Sequence, residues 1–187
     1  MRRILLLAIA LFLSIGANAQ DKTPLDATAA QVQMQTHFLG LNLGRRYQSV
    51  EEASSLLDKR FPTKDVRLDE IYVFDPRFGG YDWMSACYEF CGKQSKSLYI
   101  VMFQKNFKNR AEAEEMYRSL GDGLERKYGS VELKTRIEGL ERMEWGFGGV
   151  LACSLNLIQK EMHTCVALVY VDVMLLQLSK MQDANEL

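Results

Sequence analysis

Six segments rich in β-branched and aromatic residues, in two sets of three joined by short turns, set the tightest limit on what this chain can fold into. They run from Val66 to Phe74, Trp83 to Cys91, Leu98 to Phe103, Leu140 to Phe147, Val150 to Ile158 and Cys165 to Val173. Turn residues separate them, as in Asp75-Pro76-Arg77-Phe78-Gly79-Gly80 and Gly92-Lys93-Gln94-Ser95-Lys96-Ser97. A parallel return needs a crossover of roughly a dozen residues or more, so each set of three is expected to form an antiparallel meander. Leu151, Cys153, Leu155 and Leu157 alternate with smaller or polar residues, the pattern of a sheet with a covered face.

Two helices frame the first meander. Ser49-Val50-Glu51-Glu52 has the spacing of a capping box, Val50, Ala53, Leu56 and Leu57 form an apolar face, and Phe61-Pro62 stops the helix. The second starts at Asn109 with Glu112 three residues on, presents Ala113, Met116, Tyr117, Leu120, Leu124 and Tyr128 on one side, and ends at Gly129. Gly121 and Gly123 each cost about 1 kcal/mol relative to alanine inside a helix, which predicts a bend or close packing there. The order α-β-β-β-α-β-β-β gives an α+β sandwich, with two helices packed on one face of a mainly antiparallel sheet of about six strands.

The amino terminus reads as an export leader. Met1-Arg2-Arg3 precedes an apolar block from Ile4 to Leu13, and Ala17-Asn18-Ala19 supplies the small residues of a cleavage site, so cleavage is expected after Ala19. No cysteine sits near that point to take a lipid, and no later apolar run is long enough to span a membrane. The expected organisation is a signal peptide over 1–19, a flexible lead-in over 20–36, a single α+β domain over 37–174 and a C-terminal tail over 175–187, with the stretch from Met174 starting as a continued strand or a short helix before it frays. The product is expected to be periplasmic or secreted.

Only two of the 23 basic residues and none of the 24 acidic ones leave with the leader, so the remainder carries about −3. That balance gives no reason to expect nucleic acid as a partner. The basic run Lys105 to Arg110 is followed at once by Glu112, Glu114 and Glu115, which reads as a solvated helix start.

Four cysteines, Cys87, Cys91, Cys153 and Cys165, survive cleavage, and an oxidising compartment permits disulfides among them. Three pairings are open. A bridge from Cys87 to Cys91 requires the strand to end between them, because four steps along a strand span about 13 Å. His163 lies two residues before Cys165, so a Cys-His hydrolase using His163, or His37 from elsewhere, is the alternative enzymatic reading. The spacing does not match a zinc site, and no metal is expected. Gly146-Phe147-Gly148-Gly149 lacks the lysine and following helix of a phosphate loop, so it reads as a turn and no cofactor is expected.

The most suggestive segment for recognition is Phe74 to Trp83, where Arg77, Phe78, Tyr81 and Trp83 share one inter-strand loop with two glycines. The alternative is that its aromatics fold back as core at strand ends.

From the glycine-containing stretch Phe38 to Gly44, through the capped helix and three strands, to the helix end Lys127-Tyr128-Gly129, the layout resembles small exported bacterial proteins of unassigned function. It is similar in outline to the envelope assembly lipoprotein BamE and to the β-lactamase-inhibitor-protein fold. The chain lacks the lipid-anchoring cysteine of the first and has one repeat-sized unit where the second has two, so neither function transfers residue by residue. The sequence therefore leads to one expectation: an exported, non-enzymatic binding module of the bacterial cell envelope, meeting a protein or envelope component.

Overall fold

The computed structural model describes residues 34–184, with side chains to residue 181. The leader read at 1–19 and the lead-in up to residue 33 lie outside the described residues, as do residues 185–187.

The chain opens with a small hairpin of β1 (His37–Phe38) and β2 (Leu41–Asn42), then β3 (Arg46–Tyr47) and helix α1 (Val50–Leu56). Next come β4 (Lys64–Val66), β5 (Glu70–Phe74), the short pair β6 (Arg77–Phe78) and β7 (Tyr81–Asp82), then β8 (Ser85–Cys91) and β9 (Lys96–Phe107). Helix α2 (Arg110–Tyr128) follows, then β10 (Leu133–Ile137), β11 (Leu140–Phe147), β12 (Leu151–Gln159) and β13 (Thr164–Asp172), and α3 (Val173–Ala184) closes the described chain.

One nine-stranded antiparallel sheet dominates, in the order β10-β11-β12-β13-β9-β8-β5-β4, with β3 pairing the start of β9. The two meanders meet where β13 pairs β9, from Thr164 opposite Phe107 to Val171 opposite Ile100. The register slips between Glu89 and Phe90 opposite β9, so β9 gains one residue, Tyr99, at a bulge. Leu98 and Ile100 consequently face opposite sides of the sheet, which strict alternation would forbid.

Each face has its own core. Val101, Phe103, Cys153, Leu155, Leu168 and Tyr170 face α1 and α2. Ile100, Met102, Val169 and Val171 face the other way, against Val173 and Leu176 of α3. The α2 stripe of Ala113, Met116, Tyr117, Leu120 and Leu124 is buried at helical spacing. Asn109 accepts a bond from the Ala111 amide at 2.9 Å and Ser49 one from Glu52 at 3.2 Å, so both helices start where the capping spacing predicts. Gly121 sits where α2 approaches the sheet: an added Cβ would lie 3.1 Å from the Met143 sulfur.

The expected fold, two helices on one face of a sheet of about six strands in the order α-β-β-β-α-β-β-β, is corrected. The protein is mostly β, with nine strands in its main sheet and a third helix on the face opposite α2. The strands absent from the sequence reading are short or peripheral. β10, with sequence Leu-Lys-Thr-Arg-Ile, has no buried residue, and β4 and β3 are three and two residues long. Backbone pairing rather than a buried face holds such strands; β3 and β4 are too short to show a period, and β10 shows one only across Leu133, Thr135 and Ile137. The segment read as one strand from Val66 to Phe74 is turned back at Arg67–Asp69, where the Arg67 amide bonds Glu70 O at 2.8 Å and Leu68 stands 83% exposed. At the other end, of the strand and helix open for the stretch from Met174, the helix is present and runs through Ala184, its first turn capped by Asp172 Oδ1 on the Leu175 amide at 3.0 Å. Order also starts before residue 37: Met34 is buried, and Thr36 O accepts from the Leu43 amide at 2.8 Å.

Candidate functional site

The Phe74 to Trp83 segment is a hairpin lying against the α2 side of the core. Gly79 and Gly80 take φ of 62° and 85°, the left-handed pair that a two-residue turn between Phe78 and Tyr81 requires. Phe78 stacks on Phe103, with centroids 4.2 Å apart and planes 4° from parallel. Trp83 is 2% exposed, and its indole Nε1 donates to Phe78 O at 3.0 Å, fastening the hairpin from below. Tyr81 reaches the other way, its hydroxyl 2.7 Å from Ser119 Oγ on α2. Arg77 is exposed and sits 3.8 Å from Asp82 across the hairpin.

The four residues singled out in this segment therefore separate by role. Phe78 and Tyr81 line a cleft of about 400 Å³ between the hairpin, α2 and the chain at Gln35. Trp83 is core and Arg77 lies outside the cleft lining. Leu120 and Leu124, one turn apart on α2, and Leu168 and Tyr170 on β13 form its floor. A volume of this size suits a small ligand, and its lining is mixed: Gln35, Ser119, Arg126 and Lys127 stand beside the apolar floor. Gly123 also lines it, with open space where a Cβ would be; the nearest atom is Arg126 Nη2 at 3.9 Å. Of the two helix glycines at which close packing is expected, Gly121 meets the sheet at Met143, while Gly123 borders the cleft with nothing pressed against it.

A second hollow of about 700 Å³ lies at the far end of the sheet, where the β10–β11 and β12–β13 turns meet the start of α2. Its three cations, Arg110, Arg136 and Lys160, are balanced by Glu138, Glu141 and Glu161. Arg136 pairs with Glu141 at 3.1 Å, and Arg110 with Glu114 at 2.7 Å. Those cations are thus largely satisfied by the protein's own carboxylates, and the smaller cleft is the better candidate.

The cysteines do not meet. β8 runs unbroken from Ser85 to Cys91, so Cys87 and Cys91 stay four steps apart on one strand. Cys153 faces Trp145 and Tyr170 across its ladders, and Cys165 faces Ile158 and Asn106. The structure has all four as free thiols, and burial pushes every one of their pKa values up. A nucleophilic cysteine needs the opposite shift. Cys165 donates to Val166 O at 3.7 Å, His163 sits in the β12–β13 turn, and His37 Nδ1 lies 2.9 Å from Asn42 Oδ1. Neither histidine is bonded to a thiol. Among the described residues no three metal-ligating side chains cluster, and no helix is long and apolar enough to cross a membrane.

Two buried ionic features lie on the α3 side of the sheet, and neither stood out in the sequence. Arg142 and Glu144, two apart on β11, are both fully buried and form an ion pair. Glu89 on β8 is buried opposite Glu70 on β5, and accepts from the Tyr99 hydroxyl at 3.2 Å. Burial first, and the Glu70 charge second, raise the Glu89 carboxyl to about 7.

Compared with known proteins, the chain matches no family model, no curated protein and no solved structure.

Proposed function

We propose that this chain is an exported, non-enzymatic binding module of the bacterial cell envelope, and that it holds its ligand in the cleft between the β6–β7 hairpin and α2. The observation that carries the reading is the way Phe78 and Trp83 anchor the hairpin. They hold it beside α2 while an apolar floor of Leu120, Leu124 and Leu168 still borders a cleft of about 400 Å³. Export rests on the leader pattern before Gln20. The resemblance to BamE and to the β-lactamase-inhibitor-protein fold enters as analogy of layout and contributes no site residue.

The test is native mass spectrometry of the chain recovered from an exporting host and equilibrated with the small-molecule fraction of a bacterial envelope extract. Adducts on the wild-type chain that vanish in Gly123→Phe, which fills the cleft from open space, support the reading. Identical spectra for the two proteins would overturn it. The intact mass from the same experiment checks cleavage after Ala19.

A further inference from the structure

We infer that the cleft is built for an amphiphile with an anionic head; the inference rests on the cleft being the binding site and adds the class of ligand. The charges around it are one-sided. Arg126 and Lys127, in the last turn of α2, line the cleft, and no aspartate or glutamate does among the described residues. Glu125, their immediate neighbour, is engaged elsewhere, 3.4 Å from Lys134 Nζ. Arg126 has no carboxylate partner among the described residues. Lys127 Nζ donates to Gln35 Oε1 at 3.0 Å, a neutral acceptor that orients the ammonium without neutralising it.

This differs from the larger hollow, where basic and acidic side chains balance. Helix carbonyls at the end of α2 already favour cations in its last turn, but an exposed pair of adjacent cations still repels itself and attracts an anion. A carboxylate or phosphate between Arg126 and Lys127 would supply the missing counter-charge. Phe78, Leu120 and Leu168 would meanwhile take up the hydrocarbon or aromatic body. A neutral amphiphile gains only the floor. A cationic one meets like charge.

Isothermal titration calorimetry below micelle-forming concentrations tests this, with decanoate, decyl phosphate, decyl maltoside and decyltrimethylammonium as probes. The proteins are the exported chain, Arg126→Gln/Lys127→Gln and Gly123→Phe, each checked by circular dichroism for an unchanged fold. The two anions should bind roughly tenfold or more tighter than the maltoside, the cation least, and the double variant should lose about tenfold for the anions alone. A stronger response to decanoate or to decyl phosphate assigns the head as carboxylate or phosphate. Equal binding of all four probes, lost only in Gly123→Phe, would overturn the anionic preference and leave the cleft as the site. Absence of binding by every probe would overturn the inference, while the envelope-extract experiment decides the cleft separately.

Discussion

Glu70 and Glu89 sit directly opposite each other on neighbouring antiparallel strands, with Tyr72 donating to the first at 3.0 Å and Tyr99 to the second at 3.2 Å. Like charges so placed destabilise a sheet, and here one of them is also buried. The folded Glu89 carboxyl, near 7, keeps its proton where an unfolded glutamate near 4.5 has lost it, so the native state binds the extra proton between those values. Stability from this site is therefore fully present below about 4.5, falls as pH rises through the window, and is lost above about 7. Glu89→Gln should remove that slope and raise stability at pH 8 by up to about 3 kcal/mol. Urea denaturation at pH 5 and pH 8 measures it.

The buried pair on β11 gives the opposite kind of prediction. Arg142→Met leaves Glu144 buried without its guanidinium and should destabilise by about 3–5 kcal/mol. Arg142→Met with Glu144→Leu should recover most of that loss, as thermal unfolding of the two variants would show.

Trp83 and Phe78 bear the hairpin, so truncating them tests folding before it tests binding. Trp83→Ala should cost about 3–5 kcal/mol, as expected for a buried aromatic. Tyr81→Phe removes only the bond to Ser119, should cost about 1 kcal/mol or less, and is the variant for probing the cleft rim. Chemical denaturation of both distinguishes these roles.

Gly123→Ala should stabilise α2 by up to about 1 kcal/mol, because its Cβ enters open space and the helix interior gains propensity. A raised melting temperature is the readout. Gly121→Ala lacks that freedom, since Met143 would have to move.

All four cysteines should resist a thiol-reactive probe at neutral pH in the native state and react once the protein is unfolded in urea. Rapid native labelling of Cys165 or Cys153 would restore the Cys-His reading.

What the sequence disclosed follows from where each signal originates. The caps at Ser49 and Asn109 are local hydrogen-bond chemistry, and the alternation through Leu151, Cys153 and Leu155 records a buried face, so both could be read directly. β10 and β4 gain their place from backbone pairing at the sheet edges: Leu133, Thr135 and Ile137 alternate with Lys134 and Arg136, a strand pattern only five residues long, while Lys64–Val66 is too short to show a period. The bulge at Tyr99, which puts Leu98 and Ile100 on opposite faces, is decided by the partner strand. In the same way the loop aromatics were visible as a cluster, but only the fold separates Trp83, which is core, from Tyr81, which reaches α2. Arg126 and Lys127 read as ordinary helix-end cations until Gln35, Phe78 and Leu168 are brought beside them.

Amide hydrogen exchange of the chain with and without saturating decanoate tests the binding cleft most directly. Added protection confined to Phe78–Trp83 and Leu120–Lys127 is the predicted result. Protection at Arg136–Glu141 and Gln159–Thr164, around the larger hollow, would contradict it.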